Sequence, residues 1–217
     1  MKRNQSGFTL IEIAIVLVII GLLLGGVMKG QELINSAKVK NLAADFKNTS
    51  LYIYSYQDKF RNLPGDDPQA ASHVTNATNA TAINAGELGN GRIDGKWDST
   101  TNTHESFLFW QHVRLAGIAT GITSTTDTIG YPQRNTLGGL VGITNSTAAD
   151  LPITNLKGAY IICSSNIQGK FAKQLDIMMD DGATSSGSMM TALPSSAVQA
   201  AVASPDDTTL YTVCMGV

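Results

Sequence analysis

From Ile13 to Met28 this chain has no charged or strongly polar residue, and a run of that kind can be housed in few ways. Counted from Phe8, the apolar stretch is 21 residues, broken only by Thr9 and Glu12. At about 1.5 Å per residue, a helix of that length crosses a hydrocarbon layer roughly 30 Å thick. The run therefore predicts one membrane-embedded helix over residues 8–28. Glu12 is its anomaly. Carrying an ionised carboxylate into hydrocarbon costs about 2.5 to 3.5 kcal/mol on insertion scales, so the residue calls for a cationic partner in its working state.

The flanks decide between several kinds of apolar N-terminus. An ordinary secretory signal has a short apolar core and a small-residue exit site. Here Gly25-Gly26-Val27 runs straight into a helical pattern, and the acid lies at the wrong end. A plain single-pass anchor accounts for the length but for neither Gly7-Phe8 nor Glu12. The leader Lys2-Arg3-Asn4-Gln5-Ser6-Gly7, followed by Phe8-Thr9-Leu10-Ile11-Glu12, resembles the class III signal of type IV pilins and of the pseudopilins of type II secretion systems. The resemblance rests on this N-terminal segment. It implies cleavage of the Gly7–Phe8 bond by a prepilin peptidase and methylation of the new amine of Phe8. It also implies that Glu12 pairs with the N-terminal amine of a neighbouring subunit. The implied partners are other pilin-like subunits, the peptidase, an inner-membrane assembly platform and the lipid bilayer. Lys2 and Arg3 precede the span and favour a cytoplasmic leader, but Lys29, Lys38 and Lys40 follow it, so charge alone orients the span weakly. The resemblance places the head in the periplasm, and outside the cell once a filament has formed.

Beyond the apolar run the helical pattern continues. Val39, Leu42, Phe46, Thr49, Ile53, Tyr56 and Phe60 recur at steps of three and four, which puts them on one stripe, while Lys40, Asp45, Lys47, Asn48 and Asp58 fall opposite. A helix over 8–60 would be roughly 80 Å long. Its first half is apolar all round and its second offers a single stripe to a globular partner. Gly21, Gly25, Gly26 and Gly30 weaken it by about 1 kcal/mol each relative to alanine, so any bending or melting on assembly should centre there. Asn62-Leu63-Pro64-Gly65-Asp66-Asp67-Pro68 ends it, because Pro64 pushes Leu63 out of helical geometry and Gly65 with two aspartates favours a turn.

The expected organisation is a cleaved leader (1–7), a spine helix (8–60) and a head (61–217), in an α+β fold whose head contains an antiparallel β-sheet. Residues 70–91, rich in Asn, Thr and Ala, read as a long loop. The segment Glu105 to Gly117 reads as a short buried helix and Phe171 to Asp180 as another, with Phe171, Leu175 and Met178 or Met179 inward. Ala159–Cys163 and Leu210–Cys214 read as strands. In a chain so rich in Asn and Thr, matches to the glycosylation acceptor pattern, such as Asn145-Ser146-Thr147, are expected by chance. The cysteines, Cys163 and Cys214, make an even count, which in an oxidising compartment reads as a bridge, with two buried thiols as the alternative. The pilin resemblance also implies a disulfide near the C-terminus.

Loss of Lys2 and Arg3 with the leader leaves 13 basic side chains against 17 acidic, a formal −4, so nucleic acid is not expected as a primary partner. Charged residues make up 15% of the chain, and such a weakly charged surface suits close subunit packing. His73, His104 and His112 form no H-E-x-x-H pattern, and no G-x-S-x-G, P-loop or dinucleotide fingerprint occurs. No catalytic residue, cofactor or metal is assigned. Gly89-Asn90-Gly91-Arg92-Ile93-Asp94-Gly95 is similar to a calcium loop but has Arg92 where an oxygen ligand belongs, so it reads as a turn. Asp176, Asp180 and Asp181 sit at the negative end of the predicted Phe171–Asp180 helix, where carboxylates are disfavoured. Hydrogen bonds from backbone amides of the loop 182–187 are the expected compensation, with a calcium ion as the alternative. The expected function is that of a structural subunit of a type IV pilus-like filament, with a secretion pseudopilin as the alternative. A membrane-anchored hydrolase with scattered active-site residues is the remote one.

Overall fold

In the computed structural model the described residues are 10–81, 88–127, 130–147, 151–195 and 197–217. Gly7 and Phe8 lie outside them. Helix α1 (Leu10–Phe60) contributes to two compact units, 1–38 and 39–217. In the first unit α1 is long and apolar enough to cross a membrane, and its large side chains, Ile13 to Ile34, are exposed. Gly21, Gly25, Gly26 and Gly30 are all helical.

In the second unit the predicted stripe is the buried face of α1. Val39, Leu42, Phe46, Thr49, Ile53 and Tyr56 are buried, Phe60 is partly so, and Lys40, Lys47, Asn48 and Asp58 face water. Thr49 would be a polar intruder, but its hydroxyl donates to the Asp45 carbonyl at 2.8 Å, one turn back. A four-residue helix α2 (Ala70–His73) interrupts the stretch expected to be loop. Helix α3 (Glu105–Leu115) is buried on nearly every side, which explains its unbroken apolar run Phe107-Leu108-Phe109-Trp110. It stops where Gly117 takes a φ of 73°, the left-handed geometry at which a glycine terminates a helix without strain.

The sheet is antiparallel and has four strands, β1 (Val141–Asn145), β2 (Tyr160–Gln168), β3 (Met189–Ala192) and β4 (Leu210–Gly216), in the order β1-β2-β4-β3. Helix α4 (Gly169–Met179) follows β2 directly and packs across β2, β3 and β4. Side-chain alternation divides the sheet between two cores. Ile162, Val213, Met215 and Met189 join the α1 stripe, α3, and Phe171 and Leu175 of α4 in the main core. Ile161, Cys163, Cys214, Met190 and Ala192 face the other way and pack with Ile153 and Leu156. Of the two methionines expected to turn inward on α4, Met179 packs against the main core and Met178 is exposed.

Strand β2 changes register between Ser164 and Ile167, and Asn166 within that bulge has a φ of 61°. A buried asparagine fixes it from outside. The Asn135 amide donates to the Ser164 hydroxyl at 2.8 Å and to the Ser165 carbonyl at 2.7 Å, while its oxygen accepts from the Leu137 and Gly139 amides.

Asp45 is the one predicted solvated position of the spine that is half-buried, and desolvation pushes its carboxyl up to about 6. A raised carboxylate pKa means that the folded state binds the proton more tightly than the unfolded chain. The resulting penalty is absent below the ordinary value near 3.8, grows as pH rises, and is complete above about 6. Discounted for solvent screening, it is on the order of 1 kcal/mol. Asp45→Asn is therefore expected to stabilise the detergent-solubilised chain by about that amount at pH 7.5. The gain should vanish near pH 4, and melting curves at the two pH values check it.

Candidate functional site

Glu12 lies in the first turn of α1, exposed at the helix surface among Leu10, Ile11, Ile13 and Ile15. A carboxylate there benefits from the positive end of the helix dipole by about 0.3–1 kcal/mol, which is less than the cost of taking it into hydrocarbon. The head, the second compact unit, is closed by a disulfide.

That body is pinned near the end of α1 by buried polar groups. The Asp67 carboxylate, wholly buried, accepts from the Tyr56 hydroxyl at 2.9 Å and the Gln69 amide at 2.9 Å, and lies 2.7 Å from His73 Nδ1. Asp66 points the other way and accepts from the backbone amides of Gly89, Asn90 and Gly91. The glycine-rich segment similar to a calcium loop therefore cradles a carboxylate instead of a cation, with its amides turned inward by left-handed Gly89 and Gly91. Burial raises the Asp66 pKa, and the Gly91, Gly89 and Asn90 amides oppose that shift.

His112 joins α3 to this turn. Its Nδ1 accepts from the Gly65 amide at 2.9 Å, which leaves Nε2 to carry the proton it donates to the Thr78 carbonyl at 2.8 Å. Both ring nitrogens are thereby committed to the neutral tautomer, and burial lowers the pKa. The stability this contributes is present above the unfolded histidine value of about 6.5 and is lost as pH falls, opposite in sign to the Asp45 effect. His104 bonds the Ser99 hydroxyl at 2.9 Å. His73 and His112 flank one cluster beside Asp67, His73 stacked on Phe60 and His112 on Tyr56, while His104 has a setting of its own.

Cys163 and Cys214 form a disulfide with Cα atoms 4.0 Å apart. They are direct register partners on β2 and β4, so the bridge spans adjacent strands within one sheet. Asn145, in one of the glycosylation matches, is 1% exposed and donates to the Asp94 carboxylate, so that acceptor is closed in the folded head.

A membrane-length apolar helix with an acid in its first turn, followed in the chain by an α+β head closed by a disulfide, fits a membrane-anchored protein. Residues 2–28 match the prokaryotic N-terminal methylation motif. The chain thus carries the prepilin-type signal, which supports a type IV pilin-like or pseudopilin protein and fits anchorage in the inner membrane. No curated protein and no solved structure matches the chain.

Proposed function

We propose that this chain is a structural subunit of a type IV pilus-like filament. The observation that carries the reading is the methylation motif over residues 2–28, joined to an exposed apolar helix that bears Glu12 in its first turn. The peptidase removes residues 1–7 and the amine of Phe8 is methylated. The mature subunit waits in the inner membrane as a single-pass protein with its head in the periplasm. On assembly the apolar half of α1 leaves lipid for the filament core, where its exposed aliphatic side chains pack against those of other subunits. Glu12 then meets the terminal amine of a neighbour, and this pairing fixes the stagger between successive subunits, since a carboxylate in low dielectric is relieved only at the correct register. The body carried outward is the disulfide-closed head.

Processing gives the direct test. Intact-mass analysis of the assembled protein should show a chain starting at Phe8 and carrying one methyl group, and Gly7→Val should leave the full-length precursor in the membrane. Assembled material that retains Met1 would overturn the reading. Recovery of the chain in sheared extracellular filaments supports a pilus, whereas retention in the envelope together with loss of protein export on deletion would assign it to a secretion pseudopilus.

A further inference from the structure

Where α3 meets β1 the head holds a cavity of about 150 Å³. Phe107, Trp110, Tyr131 and Val141, all buried, form its floor together with the half-buried Trp97, and the exposed Thr100 and Arg134 mark its open side. Packed interiors leave few voids larger than a water molecule, so a space of this size among four aromatic rings is shaped for an occupant. An apolar cavity of about 150 Å³ takes a single benzene ring. Ser99, Thr100 and Ser106 add hydroxyls to the lining, which favours a ring with an apolar body and a polar tip.

The same compact unit, 39–217, carries such a ring on its surface. Tyr54 is the one aromatic among the exposed large hydrophobics of the described residues; it is 56% exposed, and Leu51, one turn before it, is 58% exposed. Residues three apart on a helix are neighbours, so the two form one apolar knob. Knob and cavity lie on opposite flanks of α1. Tyr52 and Tyr54 are about 200° apart around the helix, one on either side of the buried Ile53. Tyr52 stands edge-on to Trp110, a wall of the cavity, with ring centroids 6.4 Å apart. Tyr54 therefore points away from the cavity of its own chain.

We propose that this cavity receives Tyr54 of a second copy of the chain. The inference rests on the filament reading and adds to it a contact between heads. Because knob and hole are different places on one surface, the contact is heterologous: each copy offers its cavity to one neighbour and its tyrosine to another. Such a contact propagates from copy to copy, as a helix when it does not close into a ring, and never as a two-fold dimer. The charges are complementary. Lys47 and Asp58 share the Tyr54 face of α1, and Arg134 and Asp98 line the cavity, so each side brings one cation and one anion to the rim. An aromatic anchor seated in a preformed pocket is also the usual form of an interface hot spot.

Wild type, Tyr54→Ala and Tyr54→Phe are each followed as full chains for leader cleavage, for melting temperature in detergent and for yield in sheared filaments. Tyr54→Ala is expected to be cleaved and to melt as wild type does, because the side chain is exposed, while its filament yield falls roughly tenfold or more. Tyr54→Phe keeps the ring and should retain most of the yield. Proximity is read by combining Leu51→Cys with Thr100→Cys in one chain and treating filaments with a short bis-maleimide, since the native cysteines are bridged and do not react. A ladder of linked copies is expected from the double variant and none from either single variant. If wild type forms filaments and Tyr54→Ala does so equally well, or the double variant gives no ladder, the contact is overturned, the filament reading stands and the cavity is left to a free aromatic ligand. Linked dimers from Leu51→Cys alone would reveal a two-fold contact and overturn it as well. Absence of wild type from filaments overturns the filament reading itself, and this contact with it.

Discussion

Replacing both Cys163 and Cys214 by alanine is expected to destabilise the chain by about 4 kcal/mol, read as a fall in melting temperature of roughly 10 °C. The bridge closes a loop with a sequence separation of 51, and in the chain-entropy model that loop alone gives the figure quoted. Packing adds to it. Both residues are fully buried among Ile153, Leu156, Ile161 and Met190, in the smaller core on the far side of the sheet from the α1 stripe. That core is small, so removing its central sulfurs takes a large share of what holds Ile153 and Leu156 against the strands. Thermal melts of oxidised wild type and the double variant check the prediction, and a difference under about 1 kcal/mol would contradict it. Native protein taken from the envelope without reductant should likewise contain no alkylatable thiol after denaturation.

In the proposed filament the second large effect falls on assembly. Glu12→Ala removes a carboxylate whose transfer into hydrocarbon costs about 2.5–3.5 kcal/mol, so membrane integration should be unchanged or improved. Cleavage after Gly7 should also continue, since the altered side chain lies beyond the scissile bond. Filaments should nevertheless be lost, because the pairing that selects one stagger over its neighbours is gone. Fractionation into membrane and sheared filaments separates these readouts. Normal filament yield from the alanine variant would refute a register role for Glu12, and processing of the same variant shows whether it reached the peptidase at all.

Local signals made the spine readable. The apolar run and the three-and-four stripe depend only on helix geometry, and the six positions from Val39 to Tyr56 are buried as that geometry requires. Helices α3 and α4 were legible for the same reason, although α4 begins at Gly169, two residues before Phe171, because the extended strand ends at Gln168. The strands split by composition. Tyr160–Cys163 and Leu210–Cys214 are runs of apolar residues and were legible. Strand β1 was not, because Val141-Gly142-Ile143-Thr144-Asn145 is buried on both faces and shows no alternation. Its polar residues are satisfied from far away, Thr144 by the Gly95 carbonyl and Asn145 by Ile93 and Asp94. Strand β3, four residues of Met, Thr and Ala, is too short to leave a periodic trace. The Asp66 cradle was likewise out of reach, since the residues that meet there are 23 to 25 positions apart.

The strand order carries a consequence for the timing of folding. Strand β4 is the latest of the described strands to be synthesised, yet it lies between β2 and β3, and β3 pairs with β4 alone. A chain held in the membrane by its N-terminal segment therefore emerges with an open slot beside β2. Until residues 210–216 enter that slot, β3 has no ladder and Cys163 has no sulfur to meet. Pairing across such sequence distances is slow. The head is thus completed in one late, zipper-like event, and oxidation of the cysteines records that this event has taken place.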